Sequence, residues 1–217
     1  MRYFSPLMRQ PLVIGITGGS GSGKTTFINM LREGYTDNEI CLLSMDNYYR
    51  PREEQKMDSK GVYNFDLPRS ILKKEFVRDL KKLISGKDVT RQEYVFNNEL
   101  VKPKMLTFKA APVILIEGLF TFHYKKVREL IDARIFLHAK DNLKVVRRIK
   151  RDRVERNYPL EDVLYRYEHH VMPAYEKYVE PYRENADVIV NNNSDFNMGL
   201  KIVRGFLTNY LAEVKKD

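Results

Sequence analysis

Short, continuous apolar runs alternate along this chain with longer stretches whose apolar residues recur at helical spacing. The runs Leu12–Thr17, Ile40–Ser44, Val113–Glu117, Arg134–Leu137 and Val188–Val190 predict strands, the first of them buried. A strand covered on both sides reads as an unbroken apolar run rather than as an alternation. Helical spacing predicts helices over Lys24–Arg32, Ser70–Ile84, Asn142–Arg156, Leu160–Met172 and Asn197–Val214. In the second of these Leu72, Phe76, Leu80 and Leu83 form one apolar stripe. In the last, Leu200, Val203, Leu207, Tyr210, Leu211 and Val214 do the same. Strands alternating with helices predict an α/β fold, a five-stranded parallel core sheet with helices on both faces. No internal repeat or low-complexity linker divides residues 1–217, so they are read as one domain. Residues 88–109 break the alternation. There Thr90–Phe96 and Lys104–Phe108 predict a small hairpin about the polar turn Asn97-Asn98, inserted between the second and third core strands; the pattern alone also allows a surface loop.

The junction of the first strand and first helix carries the most specific chemistry. It reads Gly18-Gly19-Ser20-Gly21-Ser22-Gly23-Lys24-Thr25, followed by Thr26. This is the P-loop pattern G-x-x-x-x-G-K-[ST], in the strand–loop–helix setting that the motif requires. Glycines allow backbone N–H groups to converge on a phosphate at the positive end of a helix dipole. Lys24 is expected to reach β- and γ-phosphates as a solvent-accessible point charge, and the Thr25 hydroxyl to bind Mg²⁺. A glycine-rich turn with a chance Lys-Thr is the bland alternative, and the flanking strand and helix argue against it.

Ligands of open parallel sheets sit beyond the carboxyl ends of the strands, so acidic residues there are candidates. Asp46 follows the second strand and Glu117 ends the third. Either carboxylate can hold Mg²⁺ or its waters, and either can be a helix cap or a solvated turn. Asp66, before the Ser70 helix, reads by itself as a cap. The segment from Arg147 to Arg156 is densely basic. Such a run is commonly a solvated helix face. Here Arg148 and Arg151 share one face, and a mobile arginine lid over residues 142–158 would neutralise charge on a transferring phosphoryl group and exclude water. His123, His138, His169 and His170 show no zinc or triad spacing, and the His169-His170 pair reads as surface or core packing.

Composition narrows the picture further. The chain is 43% hydrophobic, enough for a sizeable core, and carries a net charge of +9, which points to an anionic partner. With a P-loop present, a phosphorylated small molecule fits that charge better than nucleic acid or a membrane. No basic stripe interleaved with aromatics is present, and no apolar run approaches the roughly 18 residues of a membrane span. The segment Met1 to Pro11 lacks a secretory apolar stretch, and the single cysteine, Cys41, reads as a core thiol. A reducing, cytoplasmic setting is expected.

Taken in order, these pieces resemble the uridine–cytidine kinases of the P-loop kinase superfamily, from Val13 to about Val190. Besides the P-loop, the likeness rests on Ser44 to Arg50 (Ser-x-Asp-x-Tyr-Tyr-Arg), Asn64 to Pro68 (Asn-Phe-Asp-x-Pro) and Tyr94-Val95-Phe96. It continues in Ile116-Glu117-Gly118, the Arg147–Arg156 run, Lys177 to Pro181 and Ala186 to Ile189. It implies a P-loop kinase-type three-layer sandwich with an inserted hairpin and an Arg-rich helical lid. The implied activity is phosphorylation of a nucleoside 5′-hydroxyl, with ATP (or GTP) as donor and Mg²⁺ as cofactor. Lys24, Asp46 and Arg151 are then catalytic, with Asp46 the base. Gly18 to Thr26, Arg151 and Arg156 hold the donor; Thr25, Glu117 and Asp46 hold the metal. Asp66 and Arg148 contact ribose, and Tyr49, Phe65, Tyr94 and Phe96 form the nucleoside pocket. A homo-oligomer is also implied.

The chain departs from the pattern where family members read the base. Glu99 stands for a histidine, Tyr158 for an arginine and Arg166 for a glutamine. A carboxylate at Glu99 facing the base would favour cytosine, whose amino group donates. Pairing of Glu99 with Arg166 would instead close the pocket to nucleosides. A kinase of the same fold for another hydroxylated substrate, phosphoribulokinase- or pantothenate kinase-like, is therefore a competing expectation. A GTPase switch is disfavoured because no Asn-Lys-x-Asp guanine motif appears.

Overall fold

The computed structural model describes residues 10–96, 102–155 and 157–216. Strand β1 (Leu12–Gly18) enters a glycine-rich loop and helix α1 (Lys24–Arg32), followed by β2 (Ile40–Ser44). A two-stranded ribbon, β3 (Lys56–Met57) and β4 (Tyr63–Asn64), precedes α2 (Lys73–Ile84). A second ribbon, β5 (Val89–Gln92) and β6 (Met105–Phe108), leads to β7 (Val113–Glu117), the short α3 (Lys125–Arg128) and β8 (Ala133–His138). Then come α4 (Asp141–Glu155), α5 (Leu160–Arg166), a π-helical turn (Tyr167–Val171), α6 (Met172–Tyr178), β9 (Val188–Asn191) and α7 (Asn197–Val214).

Strands β2, β7, β1, β8 and β9 lie side by side in that order, and every pairing is parallel. Apolar side chains alternate between two cores. Val13, Cys41, Leu43, Ile114 and Ile116 face α2 and the Phe120–Val127 region, where Phe76, Leu80 and Phe122 are buried. Ile14, Ile16, Val113 and Leu115 face α1 and α7 and meet Phe27, Leu31, Val203 and Leu207. The result is the expected three-layer sandwich. Because β7 inserts between β1 and β2, the chain crosses over at their carboxyl ends and opens a crevice there, the usual ligand position in such sheets. Ser44 of β2 and Ile16 of β1 both lie level with Glu117 of β7, so β2 and β7 end together and β1 runs two residues beyond them into its loop.

The structure revises several predicted boundaries. The helix expected from Ser70 begins at Lys73, because Pro68–Ser70 makes a 3₁₀ turn and the Leu72 N–H donates to Tyr48 O at 2.8 Å. The helix expected over Leu160–Met172 continues to Tyr178 through Pro173, after a π turn. The wider turn accommodates a residue that has no N–H to give. The inserted hairpin is present but short: regular pairing runs from Val89↔Phe108 to Gln92↔Met105, and Tyr94 and Phe96 lie beyond it. Its predicted turn, Asn97-Asn98, lies outside the described residues. The β3–β4 ribbon was not expected, since strands of two residues leave no periodic signal.

Candidate active site

The loop after β1 is shaped by glycines that other residues would disrupt. Gly21 and Gly23 have φ of 79° and 96°, in the left-handed region. A Cβ on Gly21 would stand 2.4 Å from the Lys144 backbone oxygen, and one on Gly23 2.3 Å from Asn192 Nδ2. Asn192 donates that amide to Ser22 O at 2.9 Å, clamping the loop from β9. Lys24 is half-buried and lines the cleft. Its ammonium folds back and donates to Gly18 O (2.8 Å) and Gly19 O (3.2 Å). Burial lowers its pKa; Glu117 and Asp46 oppose that, while Arg151 and Lys144 add to it.

Two carboxylates approach from neighbouring strand ends. Ser44 caps the 3₁₀ turn Met45–Tyr48 by accepting from the Asp46 N–H at 3.1 Å, and its hydroxyl donates to Glu117 Oε1. Thr17 donates to the carbonyls of Gly118 (2.8 Å) and Leu119 (3.0 Å), which fixes the turn after Glu117. Glu117 has its pKa raised to about 7, first by burial and then by the Asp46 charge, against the opposing pull of Lys24 and the Ser44 hydroxyl. The cap alternatives for the acidic candidates fall away. Ser44 caps the turn that carries Asp46, and the residue preceding α2 is Leu72, not Asp66.

A stability test follows from Glu117. A carboxyl whose folded pKa exceeds its ordinary 4.5 prefers to be neutral in the fold. Above that ordinary value the unfolded chain ionises first, so stability falls as pH rises from about 4.5 to about 7 and levels off above it. Glu117→Gln removes this penalty. In thermal melts of the ligand-free protein, the variant should gain Tm over wild type at pH 8 by more than at pH 5. Equal shifts at both pH values would show that Glu117 is not held up.

Helix α4 lays its arginines across the loop. Arg148 Nη1 donates to Ser20 Oγ at 3.0 Å, and Arg151 Nη2 reaches the same oxygen at 3.5 Å. Asp152, 2% exposed, lies between them, 3.1 Å from Arg148 Nε and 2.8 Å from Arg151 Nη2. Arg148 also faces Asp66 at 3.9 Å. Arg147 Nη1 donates to Asn192 O at 3.1 Å. Lys144, 3% exposed, pairs with Asp141 at 2.7 Å and sits 3.5 Å from the Tyr175 ring centroid. The predicted donor residue Arg156 lies outside the described residues.

The far end of the cleft is aromatic. Tyr49 meets Tyr94 at 5.5 Å, Phe96 at 5.0 Å and Phe65 at 6.2 Å between ring centroids, and Tyr94 meets Phe96 at 4.8 Å. Beside them the Arg166 guanidinium lies 5.4 Å from the Tyr158 ring, and its Nη1 donates to Tyr63 O at 2.9 Å. Glu99, the expected partner of Arg166, lies outside the described residues.

The cleft encloses about 840 Å³. Of the predicted site residues it gathers Ser20, Gly21, Gly23, Lys24, Thr25, Thr26, Asp46, Tyr49, Phe65, Asp66, Tyr94, Phe96, Glu117, Arg148, Arg151, Tyr158 and Arg166. Gly18, Gly19 and Ser22 form the back of the loop rather than its lining. Sequence reasoning missed Arg147, Asp152, Arg52 and Glu53, which also line it, and Asn192 and Lys144 behind it. Arg147 lies in the basic run and Asp152 stands at i, i+4 from Arg148; the others left no readable signal.

Cations and N–H donors gather at one end of this cleft, with a hydroxyl and two carboxylates beside them. That set suits a polyphosphate accompanied by a hard cation that keeps waters and phosphate oxygens as ligands. Among the described residues no group of three or more His, Cys, Asp or Glu side chains forms an all-protein metal cage.

Comparison with known proteins gives a consistent picture. Residues 13–198 match the Phosphoribulokinase / Uridine kinase family. Uridine-cytidine kinase B of Dictyostelium discoideum is 32% identical over 94% of this chain and 84% of its own length. Uridine kinase of Clostridium novyi is 29% identical over 96% of this chain and its full length. Among solved structures, a possible uridine kinase from Bacillus stearothermophilus superposes with a TM-score of 0.59 at 20% identity, covering 84% of this chain and 89% of that one, a likeness of fold.

Proposed function

The chain belongs to the Phosphoribulokinase / Uridine kinase family, and from that premise we propose that it transfers the γ-phosphoryl group of ATP to the 5′-hydroxyl of uridine or cytidine. One observation carries this reading: a single cleft joins the Lys24 loop, the Asp46 carboxylate and a wall of four aromatic rings. A nucleoside presents a flat apolar base at one end and a primary hydroxyl at the other, which matches that arrangement. The names and near full-length coverage of the relatives support it.

In this reading the loop from Gly18 to Thr26 and the ammonium of Lys24 hold the phosphates. Arg148 and Arg151 leave the Ser20 hydroxyl for phosphate oxygens, with Asp152 keeping their guanidinium groups oriented. Arg156 adds a further donor-side cation. Asp46 accepts the proton of the attacking hydroxyl, Asp66 and Arg148 orient the ribose, and Tyr49, Phe65, Tyr94 and Phe96 stack on the base. Thr25, Glu117 and Asp46 would hold Mg²⁺, which neutralises phosphate charge when bound. Helix α4 acts as the lid and the β5–β6 ribbon covers the acceptor side. Soluble, cytoplasmic action belongs to this proposal; no helix among the described residues is long and apolar enough to cross a membrane. So does a homo-oligomeric assembly.

A second reading has one observation in its favour. At the base end, where family members keep other residues, Arg166 lies against the Tyr158 ring and donates to Tyr63 O. That would suit a smaller acceptor, such as a sugar phosphate or pantothenate. ADP release with Mg-ATP, and with Mg-GTP as the alternative donor, decides between the two over a panel of nucleosides, pantothenate and sugar phosphates. Uridine or cytidine should drive turnover; turnover with a sugar phosphate and neither nucleoside would replace the first reading with the second. In the same assay Glu99→His should lower the cytidine-to-uridine ratio of kcat/KM if Glu99 reads the base, and an unchanged ratio would remove it from that role.

A further inference from the structure

The β3–β4 ribbon is tied to the helix that follows α4 by one carboxylate. Asp58 Oδ1 accepts from the backbone N–H groups of Lys60 and Val62, both at 2.9 Å, and so shapes the turn between the two strands. Its Oδ2 accepts from Tyr165 Oη at 2.8 Å and pairs with His170 Nε2 at 2.7 Å. An ionised carboxylate only accepts, so Nε2 carries the proton of this pair. The His170 side chain is 1% exposed and that of Asp58 17%. Two more contacts run alongside: Lys60 Nζ lies 4.7 Å from the Tyr165 ring centroid, and Arg166 donates to Tyr63 O.

The spacing explains how this becomes possible. Residues five apart on an α-helix diverge in direction, whereas a π turn repeats at i, i+5. The π turn Tyr167–Val171 brings His170 onto the side of Tyr165, with ring centroids 5.9 Å apart, so both reach one oxygen. The ribbon then runs directly into the acceptor side of the cleft. Asn64 Oδ1 accepts from the Asp66 N–H at 2.9 Å, Phe65 and Asp66 line the cleft, and Asp66 faces Arg148. On the other side, the Tyr158 N–H donates to Asp152 O at 3.1 Å, and Asp152 holds Arg148 and Arg151. These contacts close a ring from the phosphate loop through α4, α5 and the ribbon back to Arg148.

We propose that Asp58, with Tyr165 and His170, is a positioning residue that keeps the acceptor-side segment Tyr63–Asp66 in register with the arginine helix, so that occupancy of the phosphate loop orders the acceptor side. This deepens the kinase reading and rests on it for the identity of the acceptor. Asp58 touches neither Lys24 nor Asp46, and its loss leaves the phosphate loop and the base in place.

The experiment uses the full chain as wild type, Asp58→Ala, Asp58→Asn and His170→Phe. With Mg-ATP and uridine, Asp58→Ala should raise the KM for uridine about tenfold or more, the cost of losing charge-assisted hydrogen bonds, while kcat and the Kd for Mg-ATP measured without uridine stay within about twofold. Asp58→Asn, which keeps an acceptor oxygen, should recover part of the loss. Amide hydrogen exchange gives a readout that needs no acceptor. ADP should slow exchange across residues 63–66 in wild type but not in Asp58→Ala or His170→Phe. If the Kd for Mg-ATP without uridine weakens as much as the KM for uridine, or ADP protects residues 63–66 equally in all variants, the strap does no positioning and the proposal falls. If wild type leaves uridine untouched, the kinase-acceptor reading fails separately and the exchange result alone decides this one. Should Asp58→Ala not fold, Asp58→Asn and His170→Phe carry the same comparison.

Discussion

Lys24→Ala should abolish phosphoryl transfer, lowering kcat by about three orders of magnitude or more, while the protein remains folded. Loss of a single preorganised donor from a charge-stabilising site already costs about 10²–10³ in rate, and Lys24 is proposed to supply a full charge at the transferring group. The fold should survive because the loop has other supports. Ser22 N donates to Gly19 O at 3.1 Å, and Asn192 holds Ser22 O. Removing Lys24 forfeits its attraction to Glu117 and Asp46 but also relieves its desolvation and its repulsion from Arg151 and Lys144. The check is turnover of purified variant alongside its circular dichroism and Tm. Undiminished turnover would take the loop out of the mechanism; a collapsed Tm would make Lys24 a structural cation whose bonds to Gly18 O and Gly19 O hold the loop together.

Asp46→Asn should lower kcat by about 10²–10⁴, the range expected when a positioned general base is lost. The substitution preserves shape, and the backbone N–H of residue 46 can still donate to Ser44 Oγ, so the turn should persist. What disappears is the capacity to take a proton from the acceptor hydroxyl. Single-turnover rates and ATP affinity separate the possible roles. A slow chemical step with ATP affinity little changed supports the base. Weakened Mg-ATP binding with the chemical step intact would make Asp46 a metal ligand instead. A second consequence concerns its neighbour. The Asp46 charge is one cause of the raised pKa of Glu117, so in this variant Glu117 should ionise at lower pH, and the stability penalty between pH 5 and pH 8 should shrink.

How much of this was legible in the chain depends on how local each feature is. The loop from Gly18 to Thr25 could be read outright, because backbone approach to a phosphate needs glycines at fixed offsets between one strand and one helix, all within a few residues. Strands β1, β2 and β7 could be read because burial on both faces leaves unbroken apolar runs, and α7 because its stripe repeats over five turns of helix; β9, at the sheet edge, leaves Val188 and Ile189 exposed. The expected lining of the cleft came from recurring short motifs, and the structure gathers most described members of that set around one space. Features whose partners are distant in sequence left little trace. Ser20 meets Arg148 and Arg151 across 128 and 131 residues, and Asp58 meets His170 across 112. His170, which reads as packing in a His-His pair, acquires its carboxylate partner only through a π turn that no periodicity announces. Lys24 reads as an extended point charge, yet its ammonium bends back to carbonyls of its own loop and is desolvated there. Residue types and local spacing determined which groups could bind phosphate, accept a proton or stack on a ring. Tertiary structure alone decided which of them share a cleft, how far apart they stand and what their charges do to one another, because distance, burial and field arise only when remote segments are packed together.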